Sequence, residues 1–151
     1  MKILMVCAGN ICRSRLAHGI LEKKVKEQNL DWVVDSAGTH GMHAGDLPDS
    51  RSVEIASRKG LDITQQRSRK IRSIDLQEFD LVFCMDNHNL RDVMSMCISE
   101  EEKAKVKMIM NEVEPGRNVS VPDPYYGGAS GFDNVYDMLE LACEKIVENY
   151  K

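Results

Sequence analysis

The residues with the clearest chemical potential lie in the stretch "CAGNICRS", residues 7–14. It contains two cysteines, Cys7 and Cys12, and the adjacent pair Arg13 and Ser14. Backbone N–H groups that converge in a tight turn bind anions, and a guanidinium group matches two oxygens of a tetrahedral oxyanion. The same positive field stabilises a thiolate, which is the nucleophilic form of cysteine. The stretch therefore predicts an anion cradle with Cys7 as nucleophile, Arg13 as clamp and Ser14 as a hydroxyl donor to the sulfur.

Three other interpretations explain less of this stretch. A zinc site needs four ligands, and the two cysteines have no second pair or nearby histidine to complete the set. A nucleotide-binding loop ends in Gly-Lys-Ser/Thr, which is missing here. Two buried structural cysteines at a strand–helix turn would leave Asn10, Arg13 and Ser14 without a purpose. For Cys12 alone, a buried structural role stays open.

The stretch needs a strand before it and a helix after it. Residues 2–7 are apolar and continuous, as a strand buried on both faces should be. After Ser14, apolar residues recur at helical spacing. The chain must turn sharply in between, and Gly9 and Asn10 tolerate the positive φ that such a turn demands.

Short apolar runs alternate with longer amphipathic ones along the rest of the chain. Strands are predicted at residues 2–7, 32–37, 79–85 and 106–110, with helices between and after them. This alternation predicts a single α/β domain over residues 1–151. Its architecture is a doubly wound, four-stranded parallel sheet with helices on both faces, three layers in all. Ligands bind at the carboxyl ends of such strands, where residues 7–14 and the long loop 112–130 begin.

Composition limits the classes of function. The chain has 151 residues, of which 42% are apolar and 29% charged, as in ordinary soluble globular proteins. The net charge of −4 argues against a nucleic-acid partner. No apolar stretch approaches the ~20 residues of a membrane span, so no membrane partner is expected. Five cysteines in no regular framework indicate free thiols in a reducing, cytoplasmic compartment.

Four segments together resemble the low-molecular-weight protein tyrosine phosphatases. They are "VCAGNICRS" directly after the first strand, "VDSAGTH" at 34–40, "FCMDNHNLRDV" at 83–93 and "DPYYGG" at 123–128. The resemblance covers essentially the whole chain and implies the flavodoxin-like phosphatase fold. It also implies an enzyme that hydrolyses phosphotyrosine in proteins, or small aryl phosphates, through a cysteinyl-phosphate, with no metal or other cofactor. We expect the enzyme to be a monomer.

The same resemblance implies roles for individual residues. Asp123, the first residue of "DPYYGG", becomes the general acid and base, although a bare Asp-Pro turn is more often only a solvated turn. Tyr125 and Tyr126 become an aromatic wall, and Ile11 a rim that suits a tyrosyl ring where relatives acting on phosphoarginine carry threonine. Cys12 becomes a disulfide partner that protects Cys7 under oxidant. The phosphate-binding and supporting residues implied are Ala8, Gly9, Asn10, Ile11, Cys12, Ser14 and Ser36.

The chain departs from the family pattern at several positions. Relatives usually carry proline and glutamate where this chain has Arg15 and His18, and a supporting histidine where it has Gln66. Arg15 adds a positive charge at the start of the helix. The aromatic residue of the first variable loop is replaced by Met42 or His43, so inherited substrate preferences do not transfer directly.

Three further functions stay open on the sequence. A thiol-based arsenate reductase shares the opening loop, but Cys84 and Cys97 make a poor relay and "DPYYGG" has no purpose in it. A protein-arginine phosphatase and a catalytically dead phosphate-binding module are the others. Intact Cys7, Arg13 and Asp123 argue against the dead module.

Overall fold

Four short apolar runs form a parallel sheet in the order β2–β1–β3–β4. The computed structural model describes residues 1–124 and 128–151. The strands are β1 Lys2–Cys7, β2 Val33–Gly38, β3 Leu81–Cys84 and β4 Val106–Met108. β3 is buried along its whole length, as expected for a strand covered on both faces. The predicted four-stranded parallel α/β sheet is confirmed.

Helices cover both faces of this sheet. Ile3 and Met5 of β1 face one layer, whereas Leu4 and Val6 face the other, as the two-residue period of a strand requires. The first layer holds α1, α2 and α6, and the second holds α3 and α4. Within the described ranges, no helix combines the length and the apolar character that crossing a membrane requires. The helices are α1 Arg13–Glu27, α2 Ser50–Arg58, α3 Asp75–Glu78, α4 Asn87–Met96, α5 Glu100–Lys105, a 3-10 helix Ile109–Glu112 and α6 Gly128–Tyr150.

Two predicted strands are longer than the observed ones. The third strand begins at Leu81 rather than residue 79, because the N–H of Phe79 still bonds to the carbonyl of Asp75 and closes the short helix α3. The fourth ends at Met108 because the chain tightens into the 3-10 helix at Ile109. Neither short helix has enough length to give a periodic signal in the sequence.

The topology places one strand end at the point where the order of strands reverses. The chain moves from β1 to β2 on one side and later returns to β3 on the other. Cys7 ends β1, opposite Gly38 of β2, and Val6 pairs with Cys84 of β3. Open α/β sheets bind ligands at such a reversal, so residues 8–12 leave the sheet where a site is expected.

Candidate active site

The thiol of Cys7 receives two polar contacts from its own loop. Its Sγ lies 3.0 Å from Ser14 Oγ and accepts a hydrogen bond of 3.3 Å from the N–H of Asn10. Asn10 Nδ2 donates to Ser14 Oγ at 2.7 Å, so the hydroxyl hydrogen of Ser14 is free to point at the sulfur. Two donors aimed at one sulfur favour its anionic form.

The turn that aims these groups depends on Asn10. Asn10 has a φ of 57°, as predicted, and its buried side chain holds the turn through Ser14. Gly9 lies outside the left-handed region, so the expectation of a positive φ there is wrong. Space explains the glycine instead: a Cβ on Gly9 would lie 3.1 Å from Cδ2 of His43 and 3.5 Å from Cε1 of His40.

The start of α1 is built to face an anion. Cys12 is the N-cap residue, its side chain makes no capping hydrogen bond, and the first turn holds no acidic residue. The first bond along the helix runs from the N–H of Leu16 to the carbonyl of Cys12. The preceding N–H groups and the positive end of the helix dipole therefore face the loop of residues 7–14.

Arg13 is fixed at the side of this loop. Its Nη1 donates to Asp86 Oδ2 at 2.6 Å and to the carbonyl of Val121 at 3.0 Å. Burial opposes the charge, but the nearby Cys7, Asp86 and Asp123 outweigh it and raise the pKa of the guanidinium. Asp86 also caps α4 by accepting from the N–H of Asn89, so a second helix fixes the carboxylate that holds the Arg13 guanidinium.

The segment before residue 70 supports the loop from behind. Ser68 Oγ donates to the carbonyl of Asn10, and the N–H of Arg69 donates to Asn10 Oδ1 at 3.1 Å. The side chain of Arg69 pairs with Asp35 at 3.1 Å and with the fully buried Asp75 at 2.9 Å. Sequence reasoning missed Ser68 and Arg69. The only available signal was that the amide of a buried asparagine needs partners on both its oxygen and its nitrogen.

The loop after β2 packs directly on the cysteine loop. The N–H of Thr39 bonds to the carbonyl of Cys7 at 2.9 Å, and that of His40 to the carbonyl of Ala8 at 3.2 Å. A Cβ on Gly38 would lie 2.7 Å from the carbonyl oxygen of Ala8, so only glycine allows this approach. These contacts therefore fix the two loops relative to each other.

The side chain of Ser36 contacts helix α1 and not the turn of residues 7–14. Its hydroxyl lies 3.1 Å from Nδ1 of His18, and Nε2 of the same ring lies 3.5 Å from Glu22. Both Ser36 and His18 are buried. Ser36 therefore supports α1, the helix that carries Arg13. The hydrogen bonds of the described residues include none between Ser36 and Asn10. His18, the departure from the family pattern, occupies this supporting position.

A cavity of about 320 Å³ brings together the three predicted catalytic residues and part of the predicted phosphate cradle, whereas Asn10, Ser14 and Ser36 do not line it. Asp123, in the loop after β4, is exposed and lies across this cavity from the buried Cys7. His40 lines the same cavity, which sequence reasoning did not anticipate. Tyr125 and Tyr126 lie outside the described residues. The lining consists of Cys7, Ala8, Gly9, Ile11, Cys12, Arg13, His40, Met42, His43 and Asp123.

The five cysteines differ in their surroundings, and all are free thiols. Burial, together with Asp49, Cys7 and Asp123, raises the pKa of Cys12 to about 12, so it remains a thiol at neutral pH. Burial also raises the pKa of Cys84 and Cys143. Cys12 therefore lies beside the site as a protonated thiol and does not have the properties of a nucleophile. Its disulfide with Cys7 stays a prediction.

Comparison with known proteins points to one family. The family model described as low molecular weight phosphotyrosine protein phosphatase matches residues 2–151. The chain is 36% identical over 149 residues to the phosphatase of that name from Homo sapiens, covering 97% of this chain and 93% of the human one. It is also 36% identical over 142 residues to the one from Schizosaccharomyces pombe, covering 92% and 90%.

Solved structures give the same picture. A protein tyrosine phosphatase from Entamoeba histolytica superposes with a TM-score of 0.92 at 38% identity, covering 99% of this chain and 96% of that one. A Drosophila arginine phosphatase superposes with a TM-score of 0.92 at 34% identity, covering 100% and 98%.

Proposed function

Because the chain belongs to the low molecular weight phosphotyrosine protein phosphatase family, we propose that Cys7, Arg13 and Asp123 hydrolyse phosphotyrosine and other aryl phosphate monoesters. The observation that carries this assignment is the single cavity that gathers a buried thiol, a clamped guanidinium and an exposed carboxylate. These are the nucleophile, the oxyanion partner and the proton carrier that phosphoryl transfer to a thiol requires.

In the first step the thiolate of Cys7 attacks phosphorus, and the bond between phosphorus and the aryl oxygen breaks. Asp123 donates a proton to the departing oxygen, which leaves as a phenol. The products are a cysteinyl-phosphate on Cys7 and an Asp123 carboxylate. The presence of both residues in the lining of one cavity supports this pairing.

In the second step water attacks the phosphorus of the cysteinyl-phosphate. Asp123 takes the proton from this water, the phosphorus–sulfur bond breaks and its electron pair returns to Cys7 as a thiolate. The hydroxyl of Ser14, 3.0 Å from the sulfur, stabilises that leaving thiolate. The enzyme is thereby restored, and inorganic phosphate is released.

The negative charge of both transition states lies on the equatorial phosphoryl oxygens. Arg13 and the N–H groups at the start of α1 bind these oxygens, so catalysis depends on positioning and electrostatics. The contacts of Arg13 with Asp86 and Val121 support this role, because they fix the guanidinium before substrate arrives.

The shape of the cavity supports phosphotyrosine as the substrate. Cys7 is only 3% exposed, below a rim that includes Ile11, Met42 and the tilted rings of His40 and His43, whose centroids are 6.4 Å apart. A phosphotyrosine side chain holds its phosphate farther from the backbone than a phosphoserine side chain does, which suits a buried sulfur. Its flat ring can also pack on the apolar and aromatic neighbours of the rim.

A panel of peptides that differ only in the phosphorylated residue tests this substrate class. We expect kcat/KM for phosphotyrosine to exceed those for phosphoserine and phosphoarginine by at least about tenfold. A preference for phosphoarginine would overturn the substrate part of the proposal and assign the activity named for the similar Drosophila structure. Arsenate-dependent oxidation of thioredoxin without peptide turnover would overturn the reaction class.

We also propose that the enzyme is a monomer, that residues 1–151 act as one domain and that it is located in the cytoplasm. The five free thiols support a reducing compartment, because a cysteine nucleophile must stay reduced to work. The net charge of −4 is consistent with protein or small-molecule substrates and not nucleic acid. Sedimentation of the purified chain tests the monomer.

A further inference from the structure

Arg15 is a buried cation in the helix turn that follows the catalytic loop. It is 1% exposed and follows Ser14 in the first turn of α1. Its Nε and Nη2 atoms are buried and have no hydrogen-bond partner among the described residues. Over the same part of the chain it forms no ion pair, although nine other lysines and arginines do.

This placement opposes folding in two ways. A buried charge without a partner loses its hydration and gains nothing in return. A cation in the first turn also faces the positive end of the helix dipole, and Arg13 already occupies that turn. Burial lowers the pKa of Arg15 to about 10, an effect that Arg67 increases and that Asp35 and Cys7 oppose. The group nevertheless remains charged at neutral pH.

Two groups near Arg15 can carry a negative charge, and one of them is already paired. Asp35 is within electrostatic range, but its carboxylate already accepts bonds from Arg69 and from the N–H of Ser36. Gln66 lies against the same helix face, with its Nε2 3.7 Å from where a Cβ of Gly19 would lie. It is neutral, and its own Oε1 has no partner among the described residues. The other group in electrostatic range that can carry a negative charge is the Cys7 sulfur.

The other charged groups near the sulfur are paired elsewhere, line the cavity or lie beside Cys12. Arg13 faces Cys7 from the side of the loop and is paired with Asp86. Asp123 faces the cavity from the loop after β4, and Asp49 lies at the start of α2 beside Cys12. Arg15 is thus a cation within electrostatic range of Cys7 whose buried Nε and Nη2 have no hydrogen-bond partner among the described residues.

We propose that Arg15 is a positioning residue whose buried charge stabilises the Cys7 thiolate and the phosphoryl group bound on it, without touching the substrate. The inference deepens the proposed function and rests on it. This role explains why an unpaired guanidinium lies in the interior. Burial of the Arg15 charge lowers the folding stability, and the negative charge at Cys7 offsets part of that loss.

The test compares three variants by the pH dependence of Cys7 alkylation. Arg15→Met removes the charge and keeps most of the volume, Arg15→Lys keeps the charge, and Arg117→Met removes an exposed arginine far from the cavity as the matched control. Iodoacetamide labelling of Cys7 is followed by mass spectrometry across pH. We expect the midpoint to rise by about one pH unit in Arg15→Met and to stay unchanged in the other two.

A thermal readout accompanies this measurement. Inorganic phosphate should raise the Tm of wild type, Arg15→Lys and Arg117→Met more than that of Arg15→Met. If Arg15→Met does not fold, Arg15→Gln carries the same prediction, since glutamine also removes the charge and keeps the backbone N–H and a side chain that can hydrogen-bond. An unchanged alkylation midpoint in the neutral variants, or an equal shift in Arg15→Lys, would overturn the proposal. Both readouts work without turnover, so they decide on Arg15 even if the proposed phosphatase activity fails.

Discussion

Replacing Cys7 by serine is expected to lower kcat for phosphotyrosine by more than about 10⁴-fold. A serine hydroxyl is not ionised at neutral pH, whereas the cysteine sulfur has Ser14 and the N–H of Asn10 aimed at it. The serine oxygen can take over both contacts, so the loop of residues 7–14 and its N–H groups should persist. The variant should therefore still bind a phosphotyrosine peptide, measured by calorimetry, while turning over almost none of it.

Cys97→Ser is the matched control for this variant. Cys97 directly follows α4 and does not line the cavity, and its thiol donates to the carbonyl of Val93. We expect its kcat to equal that of the wild type. Retention of more than about a tenth of kcat by Cys7→Ser, or equal loss in Cys97→Ser, would contradict the assignment of the nucleophile.

Replacing Asp123 by asparagine is expected to lower kcat by about 10²- to 10³-fold for phosphotyrosine. Asparagine keeps the shape of the side chain but cannot donate the proton that a phenolate leaving group needs. With p-nitrophenyl phosphate the leaving group departs without protonation, so its release should be much less affected. The second step still lacks its base, so a fast burst of p-nitrophenol should be followed by slow turnover.

Asp31→Asn provides the comparison for Asp123→Asn. Asp31 is exposed between α1 and β2, and its replacement makes the same chemical change away from the cavity. Stopped-flow measurements on both variants should show the burst in Asp123→Asn alone. An equal loss of kcat for the two leaving groups would indicate that Asp123 binds or orients substrate and does not transfer the proton.

The parts of the site that could be predicted are those whose chemistry is local in the sequence. Cys7, Arg13 and Ser14 lie within eight residues between an apolar run and a helical pattern, so their convergence follows from one turn. The strands could be predicted for a similar reason, since a strand buried on both faces is a continuous apolar run. The doubly wound order then placed the turn at the ligand-binding edge.

What the sequence did not predict depends on contacts between distant residues. Ser68 and Arg69 lie 58 and 59 residues from Asn10, whose polar groups they satisfy, and Gly38 matters only because Ala8 lies against it. Gly9 was expected to serve backbone conformation, whereas it makes room for the rings of His40 and His43. Arg15 was expected as an added charge at the helix start, and its burial follows only from the packing around α1.

The most direct test of the account is to isolate the covalent intermediate. The Asp123→Asn variant is mixed with p-nitrophenyl phosphate, quenched in denaturant during the burst, digested and mapped by mass spectrometry. We predict a phosphoryl group on Cys7, in an amount equal to the burst of p-nitrophenol, and none when Cys7 is also replaced by serine. A burst without phosphorylated Cys7, or a phosphoryl group on another residue, would contradict the account.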